Sequence, residues 1–267
     1  MKTRIISAIC MLPLLILLYL GGYFLAALCI AIGFIGMREF FNGFRHMGIN
    51  PSDRVGYVML FILYFINGLW PTHHGLILAW IVAVIMVCSL LMFDSKKHTP
   101  MDAMATMVGL IYIVFFSFHV VLIDETGGYS DMKWLVIIAA FGSDIFAYFT
   151  GKLLGKHKLC PNLSPHKTIE GLIGGLLGGG ICSLLFGFLI CPAYIGSCAV
   201  IGFFGAGISV LGDLTASAYK RKMGIKDYGN LIPGHGGIMD RFDSVLFTAP
   251  FVYYYTAIVM EHFQIIF

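Results

Sequence analysis

Long apolar runs follow one another along almost the whole 267-residue chain, separated by short polar stretches. Runs of about 20 residues match the length that a helix needs to cross a bilayer, and they lack the alternation of membrane barrel strands. The pattern therefore predicts an all-α, polytopic integral membrane protein with a single domain. The nine spans that it predicts are 5–20, 22–37, 55–71, 76–93, 103–123, 134–152, 170–190, 195–215 and 240–260.

The first stretch, MKTRIISAICMLPLLILLYL, has basic residues before an apolar run, which is also the pattern of a cleaved signal peptide. The apolar character continues to Met37 without an A-x-A-like cleavage site. We therefore interpret residues 5–37 as a retained hairpin of two spans. Within the single domain, 1–100 holds the N-terminal spans, 101–168 the middle spans and a polar loop, and 169–267 the C-terminal spans.

The basic residues indicate the orientation of the spans. When alternate loops are assigned to the two sides, all 17 Lys and Arg residues except Lys133 fall on one side. The positive-inside rule then places the amino terminus and the long polar loops in the cytoplasm, and we expect a multi-pass protein of the cell (inner) membrane. The seven cysteines include no CxxC pair, so buried thiols are favoured over disulfides or a zinc site.

The seventh span, EGLIGGLLGGGICSLLFGFL, is dense in glycine, with Gly171, Gly175 and Gly179 four residues apart. Small residues at this spacing let helix backbones approach closely. A nucleotide-binding loop is disfavoured because the glycines lie within a membrane helix and not between a strand and a helix. The span is predicted to be a tightly packed helix.

Many of the charges gather in one tract, GDLTASAYKRKMGIKDYGNLIPGHGGIMDRFDS, residues 212–244. If the eighth span continues as a helix through its start, Asp213, Ser217, Lys220 and Arg221 share one face. An isolated carboxylate within an apolar run costs about 2.5–3.5 kcal/mol on insertion scales, so Asp213 and Asp144 need partners and suggest a function. An interfacial Asp that merely reaches water is the alternative for both.

The glycine-rich turn of this tract precedes the ninth span. Gly236 and Gly237 let backbone N–H groups approach an anion, while Asp240, Asp243 and Ser244 fall in the first turn of the helix, where capping is the structural alternative. Two oxygen ligands beside cations suit Mg²⁺, and we predict Asp213 and Asp240 as its ligands. A lipid-headgroup patch is the alternative for the basic cluster and is preferred for Lys222. For His235, a structural role and a hydrogen-bond donor role stay open. The residues predicted to hold phosphates are Lys220, Arg221, Lys226 and Arg241.

The loop after the sixth span, CPNLSPHKTIEG, carries Ser164, Lys167 and Thr168 just before a helix. These residue types can bind an anion, but Ser164 or Thr168 can equally be an N-cap with Glu170 in the first turn. Spacing alone leaves the two interpretations even.

The 212–244 tract resembles the signature of the phosphatidate cytidylyltransferase (CDP-diacylglycerol synthase) family. The matching positions are Ser217, Lys220-Arg221, Lys226-Asp227, the turn 233–237, Asp240-Arg241 and Asp243, with further similarity in GSDIFAYFTGKLLGKHKL and LSPHKTIEGLIGG. The resemblance implies Mg²⁺-dependent transfer of a cytidylyl group from CTP to phosphatidic acid. A second cation stays an open possibility. The residues expected in catalysis are Asp213, Ser217, Lys220, Arg221, Lys226, Asp240, Arg241 and Asp243. Those expected in substrate binding are Asp144, Ser164, Lys167, Thr168, Asp227, His235, Gly236 and Gly237.

Two other functions fit parts of the pattern. An ion or phosphate transporter also carries intramembrane acids with basic partners, but matched interrupted helices in two halves are expected there. A CTP-using polyprenol or phytol kinase, or an archaeol-type cytidylyltransferase, would keep the nucleotide and change the lipid. The expected partners are CTP, phosphatidic acid and membrane lipid, without nucleic acid, and a homodimer is compatible with the sequence.

Overall fold

The computed structural model describes residues 13–71, 73, 75–232, 234 and 236–262. In this part of the chain, six helices are long and apolar enough to cross a membrane, and the helix Gly75–Leu91 is a shorter apolar one. The expectation of a polytopic helical membrane protein is thus confirmed, while the count of nine spans and the cytoplasmic amino terminus stay predictions. The six helices are Gly22–Arg45, Pro100–Asp124, Ser130–Leu154, Ile169–Ile190, Pro192–Met223 and Met239–Met260.

The chain divides into two compact units, and the first comprises Met1–Val121 and Lys222–Arg241. Its helices are α1 (Gly22–Arg45), α2 (Asp53–Leu69), α3 (Gly75–Leu91) and α4 (Pro100–Gly109), which continues through a π-helical turn, Leu110–Phe115, into α5 (Phe116–Asp124). The last three residues of α5, from Leu122 on, belong to the second unit.

Local capping explains where these helices begin. The Ser52 hydroxyl accepts the Val55 N–H at the start of α2, and Thr99 and Asp102 form a capping box with Pro100 in the first turn of α4. A buried cluster that includes Phe40, Phe41 and Leu60 forms part of the core of this unit.

The second unit comprises Leu122–Arg221 and Phe242–Phe267. The helices and strands that follow α5 in the chain are α6 (Lys133–Leu154), strands β1 (Lys158–Cys160) and β2 (Ser164–Thr168), α7 (Ile169–Ile190), α8 (Ile195–Met223) and α9 (Met239–Tyr254). A π-helical turn, Tyr255–Met260, continues α9. The last residues of α8 and the first residues of α9 belong to the first unit.

The glycines of α7 pack against α6, as their spacing predicts. A Cβ atom at Gly175 would lie 2.8 Å from the Ser143 hydroxyl oxygen, and one at Gly171 would lie 3.0 Å from the Ala147 carbonyl oxygen. Real Cβ atoms need more room, so the two backbones can approach this closely only without side chains on α7. The packing sets the beginning of α7 beside the last turns of α6.

A two-stranded antiparallel hairpin, β1–β2, connects α6 to α7. The sequence predicts only a polar loop here, because strands of three and five residues rich in charged and small polar side chains give no clear alternation. The hairpin makes this connection an ordered element that delivers Lys167 and Thr168 to the start of α7.

Candidate functional site

An ion pair joins the hairpin to α8 in the second unit. Lys167 Nζ binds Asp213 Oδ2, and the Ser217 hydroxyl donates to Asp213 Oδ1 at 3.3 Å. The pair is partly buried, with 24% of the Lys167 side chain and 29% of the Asp213 side chain exposed. Helix α8 continues to Met223, as the sequence-based prediction requires. The residues that therefore share one face of α8 are Asp213, Ser217, Lys220 and Arg221.

Further carboxylates gather around this pair. Asp243 in α9 is buried, its Oδ1 accepts the Ser244 N–H at 2.8 Å, and the charges of Asp213, Lys220 and Asp144 act on it. Helix α8 carries a glycine where α9 comes near, since a Cβ at Gly212 would lie 2.6 Å from the Asp243 carbonyl oxygen. The second unit therefore collects three acids and two lysines in one place.

A cavity of about 440 Å³ opens beside this cluster, between α6, the hairpin and α7. Asp144 and Lys167 line it together with Lys152 and His166, two residues that were not predicted for the site. Its other walls are largely apolar, for example Ala147 and Leu172. A concave apolar surface with a few convergent charges suits an amphipathic anion.

The hairpin loop settles one of the open alternatives. The Thr168 hydroxyl accepts the Gly171 N–H at 3.0 Å, so Thr168 is the N-cap of α7, and Glu170 lies in the first turn. Ser164 lies in β2 and does not cap the helix. The N-cap interpretation is therefore confirmed for Thr168 and wrong for Ser164, and anion binding by either residue stays a prediction.

The glycine-rich turn lies in the first unit, and Asp240, in the first turn of α9, binds the backbone before that helix. Asp240 Oδ2 accepts the N–H groups of Tyr228 at 2.8 Å and of Gly237 at 3.0 Å. Gly236 has φ +85°, a left-handed conformation that favours glycine. Asp240 thus binds backbone N–H groups that precede α9, and its role at a metal stays a prediction.

The remaining predicted residues differ in exposure. Lys226 and Asp227 are exposed in the loop of the first unit, and Arg221 is exposed near the end of α8. Arg241 is half-buried, and within the described part of the chain its buried Nε atom has no hydrogen-bond partner. His235 lies outside the described residues.

Glu39 of α1 is a buried acid at the beginning of α9 that the sequence motifs do not include. Glu39 accepts the Ile238 N–H at 3.1 Å and the Met239 N–H at 2.9 Å, at the beginning of α9. No local pattern marks Glu39, because it lies beyond the apolar run that ends near Met37 and stands beside Arg38, where an acid needs no distant partner.

The carboxylates of the site suit a hard cation such as Mg²⁺, which takes oxygen ligands. Among the described residues, no group of three or more His, Cys, Asp and Glu side chains could hold a metal ion. An ion bound by one or two of these carboxylates would complete its shell with water and substrate phosphate oxygens, which is common for Mg²⁺.

Comparison with known proteins places this arrangement in a family. The profile of the cytidylyltransferase family matches residues 2–259. The chain is 34% identical to the phosphatidate cytidylyltransferase of Synechocystis sp., over 96% of this chain and 97% of that protein. It is 32% identical to the phosphatidate cytidylyltransferase of Thermotoga maritima, over 95% of both chains, and 32% identical to that of Staphylococcus aureus, over 93% and 94%. The chain belongs to the cytidylyltransferase family.

Proposed function

We propose that this protein transfers the cytidylyl group of CTP to phosphatidic acid, forming CDP-diacylglycerol and pyrophosphate for phospholipid synthesis. Membership of the cytidylyltransferase family and the name shared by the relatives support the reaction. The structural observation that carries the proposal is the Lys167–Asp213–Ser217 cluster beside a cavity with apolar and cationic walls. A lipid phosphate needs both kinds of surface.

The chemistry requires alignment more than a protein nucleophile. A phosphate oxygen of phosphatidic acid attacks the α-phosphorus of CTP, a new P–O–P bond forms, and the bond to the β-phosphate oxygen breaks, so that pyrophosphate leaves with the electron pair. Fixed cations that neutralise the developing charge lower such a barrier. Lys167, Lys220 and Arg221 are the proposed cations of the second unit, and Lys226 and Arg241 those of the first.

Mg²⁺ is the proposed cofactor, and it would neutralise phosphate oxygens of CTP when bound. Asp213 and Asp240 stay the predicted ligands, with a second cation left open. In the structure, both oxygens of Asp213 have partners, Lys167 and the Ser217 hydroxyl. Lys167 therefore both orients the Asp213 carboxylate and balances its charge.

The proposed location is the cell (inner) membrane, with the site on the cytoplasmic side. The distribution of basic residues supports this, because Lys133 alone falls on the other side in the predicted topology. Membrane-impermeant labelling tests it with single cysteines introduced at Gly127, which is exposed in the same predicted outer loop as Lys133, and at the exposed Lys222, with only the first expected to react from outside. Light scattering with detergent correction tests the homodimer.

The reaction is tested with purified protein, CTP, Mg²⁺ and phosphatidic acid, by following CDP-lipid and pyrophosphate together. The nucleotide product separates the alternatives, because a CTP-dependent lipid kinase releases CDP and not pyrophosphate. Archaeol-type and polyprenol acceptors are run in parallel. A well-folded preparation that forms neither CDP-diacylglycerol nor pyrophosphate from phosphatidic acid refutes the proposal.

A further inference from the structure

Glu39 of α1 does at long range what a local cap usually does for a helix. Its two carboxylate oxygens accept the N–H groups of Ile238 and Met239, which lie 199 and 200 positions later in the chain. N–H groups at the beginning of a helix have no acceptor within the helix, so they need such a partner. Glu39 itself is only 8% exposed.

Two glycines make room for this carboxylate. A Cβ atom at Gly229 would lie 2.8 Å from Glu39 Cδ, and one at Gly237 would lie 2.5 Å from the same atom. Both distances are shorter than real Cβ contacts, so any side chain at either position would displace Glu39 or the loop. The loop before α9 is thus packed directly on the Glu39 carboxylate.

The same loop holds Asp240. The N–H of Gly237 donates to Asp240 Oδ2, and so does the N–H of Tyr228, whose ring lies 5.9 Å from that of Phe40, the neighbour of Glu39 in α1. One chain of contacts therefore runs from Glu39 through the backbone of the loop to the Asp240 carboxylate, all within the first unit.

We propose that Glu39 is a positioning residue for the transfer reaction, which sets the direction of the Asp240 carboxylate by holding the backbone at 228–229 and 236–238 and the first turn of α9. The proposal rests on the proposed function, in which Asp240 is a Mg²⁺ ligand. Glu39 acts through other groups and does not touch the substrate.

The first test is Glu39→Gln, which keeps the shape and loses one of the two acceptors and the charge. A misplacement of about 1 Å can cost about 100-fold in rate, so we expect kcat to fall about 10- to 100-fold. We also expect the Mg²⁺ concentration at half-maximal rate to rise several-fold, with the KM for phosphatidic acid unchanged. Calorimetric titration of the protein with CTP in the presence of Mg²⁺, without lipid, should show that CTP binding is also weakened several-fold.

The chain offers a matched control in Asp102, also buried and in the first unit. Its Oδ1 accepts the Asn50 N–H at 2.5 Å and its Oδ2 accepts the Thr99 N–H at 2.7 Å, so both oxygens cap backbone as in Glu39. Asp102→Asn should lower the thermal stability about as much as Glu39→Gln and leave the Mg²⁺ dependence as in wild type.

A second variant covers the case in which Glu39→Gln does not fold. Glu39→Asp keeps the charge and both acceptors on a shorter side chain, and its Mg²⁺ requirement should lie between those of wild type and Glu39→Gln. If the folded variants bind CTP and Mg²⁺ as wild type does, Glu39 is only a structural cap and the proposal is wrong. Wild-type protein that binds CTP and Mg²⁺ but forms no CDP-lipid would instead refute the proposed function.

Discussion

Replacement of Lys167 by Met separates the catalytic role of the Lys167–Asp213 pair from its structural role. Methionine retains most of the apolar stem of lysine and removes the ammonium group. In the variant, Asp213 keeps only the hydrogen bond from Ser217, at 3.3 Å. The cavity beside α6 loses one of its positive charges at the same time.

The cost to stability should be modest. Exposed ion pairs contribute about 0.2–1 kcal/mol, and breaking a buried pair costs about 3–5 kcal/mol. Because 24% and 29% of the two side chains are exposed, we expect a loss of about 1–2 kcal/mol for Lys167→Met. At about 2–4 °C per kcal/mol for a chain of 150–250 residues, Tm in detergent should fall by about 2–8 °C.

The cost to catalysis should be larger. Removal of one preorganised donor to developing charge typically lowers kcat by about 10²–10³, equivalent to about 2.7–4 kcal/mol. A stability loss of 1–2 kcal/mol leaves almost all of a normally stable protein folded, so it cannot account for such a fall. Initial rates of pyrophosphate release at saturating CTP and Mg²⁺ measure kcat directly.

Lys133→Met is the matched control in the same unit. Lys133 pairs with Asp124, the two side chains are only 7% and 11% exposed, and the pair lies about 27 Å along α6 from Gly151, which lines the cavity. This variant should lose more stability than Lys167→Met, because the pair is more buried, while the folded protein keeps the wild-type kcat. The catalytic role of Lys167 is refuted if Lys167→Met retains more than about a third of the wild-type kcat. It is also refuted if Lys133→Met lowers kcat as much as Lys167→Met does.

Three further substitutions, and one control substitution at Gly68, test the surroundings of the pair. Ser217→Ala removes a long hydrogen bond to Asp213, so kcat should fall only about 3- to 10-fold, and a loss as large as that of Lys167→Met would contradict an orienting role. Thr168→Val removes the N-cap of α7 and should lower stability by about 1 kcal/mol in thermal unfolding, an unchanged Tm being the contrary result. Gly175→Val overpacks the α6–α7 contact and should lower the free energy of unfolding by about 1–3 kcal/mol. The control Gly68→Ala should be tolerated, because the space around Gly68 is open. Equal stability of the two variants would count against close packing.

Much of the helical fold follows from the sequence because crossing a bilayer restricts composition. The predicted spans between 22 and 260 each coincide with a helix, most of them to within three residues at either end, but two helices continue well beyond their apolar runs. Helix α1 continues to Arg45 and α8 to Met223, although the apolar runs end near 37 and 215. Where a helix leaves the hydrocarbon, its side chains become polar while its backbone hydrogen bonds continue, so hydropathy marks the membrane boundary and not the end of the helix.

The site also combines contacts within one helix with contacts between residues that are far apart in the chain. The shared face of Asp213 and Ser217 is a property of one helix, and spacing predicts it. The Lys167–Asp213 pair and the contacts of Glu39 join elements that are far apart in the chain, and no local period encodes them. The β1–β2 hairpin also escapes prediction, because its short strands carry mostly polar side chains.

The hairpin has a consequence for how the chain tolerates insertions and deletions. Strand β2 runs directly into α7, and its pairing with β1 joins Ser164 to Cys160 and Thr168 to Lys158. Only Thr168 separates Lys167 from the first residue of α7, so a residue inserted between Lys167 and the helix would turn the Lys167 side chain away from Asp213. The same change at 161–163, the tip of the hairpin, is absorbed before the strand begins. Homologous chains should therefore vary in length at the tip and keep β2 at a constant distance from α7.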